Sequence, residues 1–352
     1  MSDALAPLFN HAEVPVVDLV KMEVVHERIA QVAAHIRARS RRPNTEAAYA
    51  QDLDHWLRYC RIAGLDPDTV SADALTVFVA WLCANPGLGA RHAAPATLER
   101  RVQGVVAHWH SLGRSCPRNL TRDAREAIRA HAQHLAEQDL EAEVGRGQAP
   151  LLTISGLRQI VQACPDTHAG LRDRALLLIG FGIAARRSEL AGLSTTDISV
   201  DYDGGQLRGL RVRVRTSKTG QGRTVPIAKG TSPLTCPAIA WLRWSQAAHL
   251  TYGPALRRVD RHDVVSKTGL LPAGVGEVIR RAGQRTGNPD LQRLTGHSLR
   301  AGFATAARRA GHDVVAIARI GGWKVDSPEL AKYLRIADEW DEKDNATVGI
   351  GL

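Results

Sequence analysis

Three short stretches near the carboxyl end of the 352-residue chain, and one upstream, gather side chains suited to phosphate chemistry. In Gly296-His297-Ser298-Leu299-Arg300 an imidazole and a guanidinium stand three residues apart, so a helix opening there turns both to one face. Gly321-Gly322-Trp323 follows. Ser327-Pro328-Glu329 then reads as an N-cap, a proline at the first helical position and an acid in the first turn, which sets Tyr333 inside that helix. Upstream, Arg186 and Glu189 repeat the spacing of three within Arg186-Arg187-Ser188-Glu189-Leu190. Arginine holds a phosphate through two parallel hydrogen bonds. Motifs for other chemistries are absent: no HExxH, no P-loop and no GxSxG occurs. His131 and His134 share a helical face but have no third ligand in view and read as surface or packing histidines. No metal or small-molecule cofactor is expected.

The charge distribution points to the partner. The formal net charge is +10. Residues 1–145 hold 16 Lys+Arg against 18 Asp+Glu, whereas residues 146–352 hold 30 against 18, so the whole excess lies in the second part. A basic, arginine-rich domain is an electrostatic footprint for nucleic acid. At 44% hydrophobic and 23% charged the chain has the composition of a globular protein, and its length fits two domains. The longest apolar run, Ala175 to Ala185, is too short for a membrane span. Five widely spaced cysteines with no CxxC fit reduced thiols. With no secretory signal at the start, the expected location is the cytoplasm, on the nucleoid when bound to DNA.

The elements that must position these residues are mostly helices. Apolar residues recur on one face at Tyr49, Leu53, Trp56, Leu57 and Cys60, with Asn44 as a candidate N-cap. Further helical stretches fall at roughly 16–38, 71–84, 95–111, 121–138, 153–163 and 171–185, separated by Pro and Gly breaks. The β signal is the alternation of Leu210, Val212 and Val214 with Arg211, Arg213 and Arg215. Gly204-Gly205 marks a turn before it and Lys218-Thr-Gly a turn after it. Arg223 to Ile227 returns as a strand that Pro226 confines to the sheet edge. After Cys236 the pattern is helical to the end. The fold expected is mainly α: an N-terminal helical bundle, residues 1–140; a linker, 141–152; a C-terminal mixed domain with a small antiparallel sheet, 153–337; and a tail, 338–352.

In order and spacing, Arg186 in R-x-S-E-L, Lys218 in a β-turn, His297-x-x-Arg300, Gly-Gly-Trp323 and Tyr333 resemble the tyrosine recombinase (phage integrase) family. With Trp in the GGW position the chain looks most like the Cre recombinase subgroup. Arg187 stands where the family commonly carries Ile or Val, which leaves Arg187 as an alternative to Arg186. The resemblance implies a core-binding bundle followed by a catalytic domain. It implies that Arg186 and Arg300 clamp the scissile phosphate, that Lys218 protonates the leaving 5′ oxygen, and that His297 assists proton movement. Trp323 would donate through its indole N–H, and Glu189 would orient Arg186 or His297. Tyr333 would be the nucleophile, its phenolate favoured by the surrounding cations. Tyr49, Tyr59, Tyr202 and Tyr252 fit that role less well, lying on an N-terminal helix or in distant turns.

The implied activity is site-specific DNA recombination through a 3′-phosphotyrosyl ester and a four-way junction, without ATP or metal. The implied partners are double-stranded DNA and a homo-tetramer spanning two duplexes, with the tail docking into a neighbouring protomer. A type IB topoisomerase-like relaxase and a catalytically inactive DNA-binding protein are the alternatives. Candidate DNA contacts are Arg37, Arg39, Arg41 and Arg42; Arg100, Arg101 and Gln103 on one helix; and Arg257, Arg258, Arg261, Arg280 and Arg281 in the basic domain.

Overall fold

The computed structural model describes residues 43–86, 91–140, 143–144, 150–215 and 222–338. The chain folds as two compact units, Met1–Gln148 and Ala149–Leu352. The stretch at 16–38, the arginines from Arg37 to Arg42, Lys218 and nearly all of the tail lie outside the described residues.

The first unit is built from α1 (Pro43–Ala63), α2 (Ala72–Ala84), α3 (Pro95–Ser111) and α4 (Arg122–Glu137). Ser71 caps α2 by accepting from the Ala74 amide, which fixes the start that the sequence marks. Asn44 falls inside α1 rather than capping it, because the helix begins at Pro43. The core is aromatic. Trp56 meets Phe78 and Trp109 edge-on, with ring centroids 5.1 and 5.6 Å apart. Both indoles donate to the same carbonyl, Pro67 O, at 3.0 and 2.8 Å, and so tie the α1–α2 connection to the core.

The second unit runs α5 (Ile154–Gln162), α6 (His168–Gly182), α7 (Arg187–Ala191), β1 (Ile198–Asp203), β2 (Gln206–Val214), β3 (Arg223–Ala228), α8 (Pro237–Ala247), β4 (Arg257–Val259), β5 (Val265–Gly269), α9 (Pro272–Arg285), α10 (Gly296–Arg309), α11 (Val314–Gly321) and α12 (Pro328–Asp338). Strands β1, β2 and β3 form an antiparallel sheet in that order. Pro226 lies on edge strand β3 opposite Arg211, where its missing N–H costs no ladder bond. The second hairpin, β4–β5, corrects the expectation of helix throughout after Cys236. Its strands, of three and five residues, are too short to show a period of two.

Helix α6 is buried on nearly all sides, from Gly170 to Phe181, and forms the axis of the unit. Leu152 is fully buried in this core, and its amide bonds Ser298 O. Gly302 on α10 makes that approach possible: a Cβ there would stand 2.1 Å from Leu152 O. Gly302→Ala is therefore expected to cost about 1–3 kcal/mol, as overpacking against backbone does. Urea denaturation reads this as a lower midpoint at an unchanged slope; an unaltered midpoint would refute the close contact.

Candidate active site

Two helix ends and two arginines make the frame of the site. Helix α6 stops in a Schellman-like turn: the Ala185 amide bonds Gly180 O, the Ala184 amide bonds Phe181 O, and Ala184 takes the left-handed conformation at φ 48°. An alanine there carries backbone strain, and it sits fully buried. Helix α11 stops at Gly322, φ 63° and ψ 42°, with the Trp323 amide on Ala318 O. These turns point successive carbonyls at two guanidinium groups. Arg300 Nη1 donates to Ala184 O at 2.7 Å and to Gly321 O at 2.6 Å. Arg223 donates to the preceding carbonyl of each end, Ile183 O at 3.2 Å and Ile320 O at 2.7 Å. Helix C-termini carry partial negative charge, so both cations suit the place they occupy.

Arg186 enters at the N-cap of α7, just after the strained turn. An arginine cannot accept a hydrogen bond, so Glu189 does the capping, receiving the Arg186 amide at 3.1 Å. The Glu189 carboxylate also accepts from the Arg186 guanidinium at 2.9 Å and from Arg223 at 2.8 Å. Its side chain is 2% exposed. Burial alone would raise its pKa, but the hydrogen bonds and charge of Arg223, with those of Arg186, outweigh burial and hold it below the usual carboxylate range. A depressed carboxylate pKa stabilises the fold at pH values above the ordinary value near 4.3, and this is lost as pH falls through the folded value. Arg223→Gln leaves burial with less opposition and moves the folded pKa up. The variant is therefore expected to be less stable than the wild type at neutral pH, with the difference in melting temperature narrowing on acidification, because the contribution that acid removes is smaller. Melting curves between pH 4 and 7 that run parallel for the two proteins would contradict this.

The Arg300 side chain is 1% exposed and lies over the Trp323 ring, with Cζ 3.6 Å from the centroid. Gly321 makes this stack possible, since a Cβ there would fall 1.9 Å from the indole. Trp323 meets Tyr333 at 6.1 Å and 66°, within a cluster that includes Ala184, Ala301, Ala304, Ile317 and Leu330. Burial, first, and the nearby Arg186 charge lower the Arg300 pKa to about 10. Arg300 Nε and Nη2, Arg223 Nη1 and Trp323 Nε1 are buried with no hydrogen-bond partner among the described residues. Buried donors left unmet are costly, and a cluster of them is what an anion would satisfy.

The Tyr333 hydroxyl donates to Glu329 Oε1 at 3.2 Å, and the same oxygen lies 3.8 Å from Arg300 Nε. A carboxylate thus stands beside the phenol as well as the Arg300 guanidinium. Burial, then the charge and hydrogen bond of Glu329, push Tyr333 up to about 12, and Arg300 opposes them only in part. His297 is exposed in the first turn of α10, its amide on Thr295 Oγ1, and its imidazole makes no hydrogen bond among the described residues. Arg187, exposed, lays its stem against Gly296 and Gly276, away from Glu189. Arg186 is thus the arginine built into the frame.

Arg223 is the residue that sequence reasoning missed. Its three partners lie at positions 183, 189 and 320, and no local pattern announces them. Among the described residues, most of the candidate DNA contacts have partners of their own in the free chain. Arg100 and Arg101 turn inward to buried Asp52 on α1, Arg100 at 2.5 Å and Arg101 at 3.9 Å. Arg101 also donates to His55 Nε2 at 3.1 Å. Burial and the Arg101 charge lower the His55 pKa, which suits an accepting neutral imidazole. Arg257 is committed to Tyr252 O at 2.6 Å, and Arg261 to His262 beside it. Arg280 and Arg281 share Glu277 on the exposed face of α9, and Gln103 is half-buried. Arg258 is exposed.

The fold and this cluster of arginines around a tyrosine define a class. Residues 151–339 match the model of the phage integrase family, more than half of the chain, and the chain belongs to that family of tyrosine recombinases. It is a recombinase enzyme, of the kind that carries out site-specific recombination. Among its relatives is an integrase/recombinase xerD homolog of Selenomonas ruminantium, 26% identical over 83% of this chain and 81% of the relative. Another is tyrosine recombinase XerC of Rhodospirillum centenum, 28% identical over 83% of this chain and 76% of the relative. Two solved structures share the fold. One is a lambda integrase dimer bound to a COC′ core site, with TM-score 0.53 and 15% identity over 94% of this chain and 84% of that one. The other is the Tn1549 transposon integrase with transposon right end DNA, with TM-score 0.54 and 14% identity over 85% and 95%. Among the described residues no helix is long and apolar enough to cross a membrane.

Proposed function

We propose that the chain recombines DNA at specific sites by transesterification, with Tyr333 as the nucleophile and a 3′-phosphotyrosyl ester as the intermediate. The observation that carries the reading is the group of unmet donors on Arg300, Trp323 and Arg223 beside the Tyr333 ring. Arg300 and Arg186 take the non-bridging oxygens of the scissile phosphate, as preorganised donors do where charge develops. Trp323 Nε1 adds a neutral donor, Glu189 holds Arg186, His297 shuttles a proton at the rim, and Lys218 protonates the departing 5′ oxygen. Arg300 is closed off in the free chain, so entry of DNA displaces α12 enough to admit the phosphate. The ester keeps the bond energy, so attack by a partner 5′ hydroxyl rejoins the strands without ATP or metal. Two rounds pass through a four-way junction, in a homo-tetramer on two duplexes whose tails, 338–352, dock on neighbouring protomers. The helical bundle, 1–140, and the catalytic domain, 153–337, joined by the linker 141–152, both engage the duplex. This takes place in the cytoplasm, on the nucleoid.

The target sequence comes first: duplexes selected from a random library by Tyr333→Phe define the site. Wild-type protein on a nicked version of that site should retain a tyrosine-linked 3′ phosphate and release a 5′ hydroxyl. Mass spectrometry should place the adduct on the peptide containing Tyr333. An adduct elsewhere overturns the assignment. Relaxation of plasmids that lack the site would favour a topoisomerase.

A further inference from the structure

We propose that Glu329 is the general base that takes the proton from Tyr333 as its oxygen attacks the phosphate. The inference deepens the phosphotyrosyl reading and rests on it.

Glu329 Oε1 accepts the Tyr333 hydroxyl at 3.2 Å, within the reach required of a base. Positions 329 and 333 are one helical turn apart on α12, so the pair is held by the helix itself. With Tyr333 raised to about 12, only about 10⁻⁵ of it is ionised at neutral pH, so attack by a pre-formed phenolate is starved of reactant. The buried cations do not remedy this, because Arg300 spends Nη1 on two carbonyls and Glu329 stands between its Nε and the phenol. Removing the proton during attack avoids the free phenolate. The Glu329 side chain is 42% exposed, so a proton received at Oε1 can pass on to solvent. The charged and titratable groups facing Glu329 are Arg300 from α10 and Tyr333 from its own helix, with Arg186 and Glu189 of α7 behind Arg300. Lys332 is exposed on the same helix and makes no bond to it among the described residues.

The step balances. The Tyr333 O–P bond forms, the phenol proton moves to Glu329, and the P–O5′ bond breaks as the 5′ oxygen receives a proton from Lys218. In rejoining, Lys218, now neutral, takes the proton of the incoming 5′ hydroxyl as that oxygen displaces the tyrosine oxygen from phosphorus, and protonated Glu329 returns its proton to the departing phenolate.

The test measures single-turnover cleavage of the nicked site. Glu329→Gln should bind DNA as tightly as wild type and cleave about 10²–10⁴-fold more slowly, the range for loss of a general base. Its rate should rise steadily with pH, without the acidic limb of the wild type, and Glu329→Asp should recover part of the loss. A substrate with sulfur in place of the bridging 5′ oxygen carries a leaving group that needs no proton. It should restore Lys218→Ala and leave Glu329→Gln slow. If Glu329→Gln cleaves as fast as wild type or faster, the carboxylate only occupies the phosphate's place in the free enzyme and the proposal is overturned. Rescue of Glu329→Gln by sulfur overturns it as well. Failure of wild type to form any adduct would instead refute the phosphotyrosyl reading itself.

Discussion

Tyr333→Phe is expected to bind the target duplex as the wild type does and to form no covalent complex with it. The Tyr333 ring packs against Trp323 in the alanine-lined cluster, and phenylalanine keeps that packing. The hydroxyl's one hydrogen bond goes to a half-exposed carboxylate, so losing it costs about 1 kcal/mol or less. Removal of a nucleophile, by contrast, abolishes the covalent step, a loss of about 10⁴-fold or more. The two effects differ so widely that the variant separates folding and binding from chemistry. An adduct that survives on Tyr333→Phe at more than a trace would show that another residue attacks. A variant that loses DNA binding along with cleavage would show that the phenol serves the duplex contact instead.

The parts of this molecule that were legible in its sequence are those set by local spacing. The helices of the first unit follow from apolar faces and their Pro and Gly breaks, and α2 falls on the stretch expected at 71–84. The β1–β2–β3 meander follows from the alternation around Val212 and from Gly204-Gly205. The candidate site was legible as a set of boxes, because Arg186 with Glu189, and His297 with Arg300, each lie three residues apart. What the spacing could not show is how distant segments meet. Arg223 binds carbonyls at 183 and 320, which only the folded chain brings together. Arg100 and Arg101 look like outward cations on a helical face until Asp52 on α1 claims them. Glu329 fits a helix-start acid so well that its second position, on the phenol, left no trace in the pattern. Ala184 gives no sign in sequence of its left-handed turn, since the usual residue there is glycine.

Arg300→Met carries the second large effect, and the expected result is that stability and chemistry part company. A buried arginine is usually costly to remove, because it leaves its partners unpaired. Here Ala184 O and Gly321 O would lose their shared donor, at about 1–3 kcal/mol each. Against that stands a cost already present in the free chain. The fall of the Arg300 pKa from the ordinary guanidinium range to about 10 means that the site disfavours the charged form by roughly 3 kcal/mol. Methionine lifts that burden and still fills the space over Trp323. The two sides nearly cancel, so the melting temperature should move by only a few degrees. Cleavage, however, should fall by about 10²–10³-fold, the loss expected when one preorganised donor to developing charge is removed. The same balance has a pH signature. A base whose folded pKa is depressed makes the unfolded chain the stronger proton binder between the two pKa values, so stability from this group rises as pH climbs above about 10. Arg300→Met should lack that rise. A large drop in melting temperature with modest loss of cleavage would mean that Arg300 is a structural bolt for the two helix ends. A nearly unchanged fold with cleavage lost would mean that those helix ends hold a charge, at a cost to the free protein, for the phosphate that later relieves it.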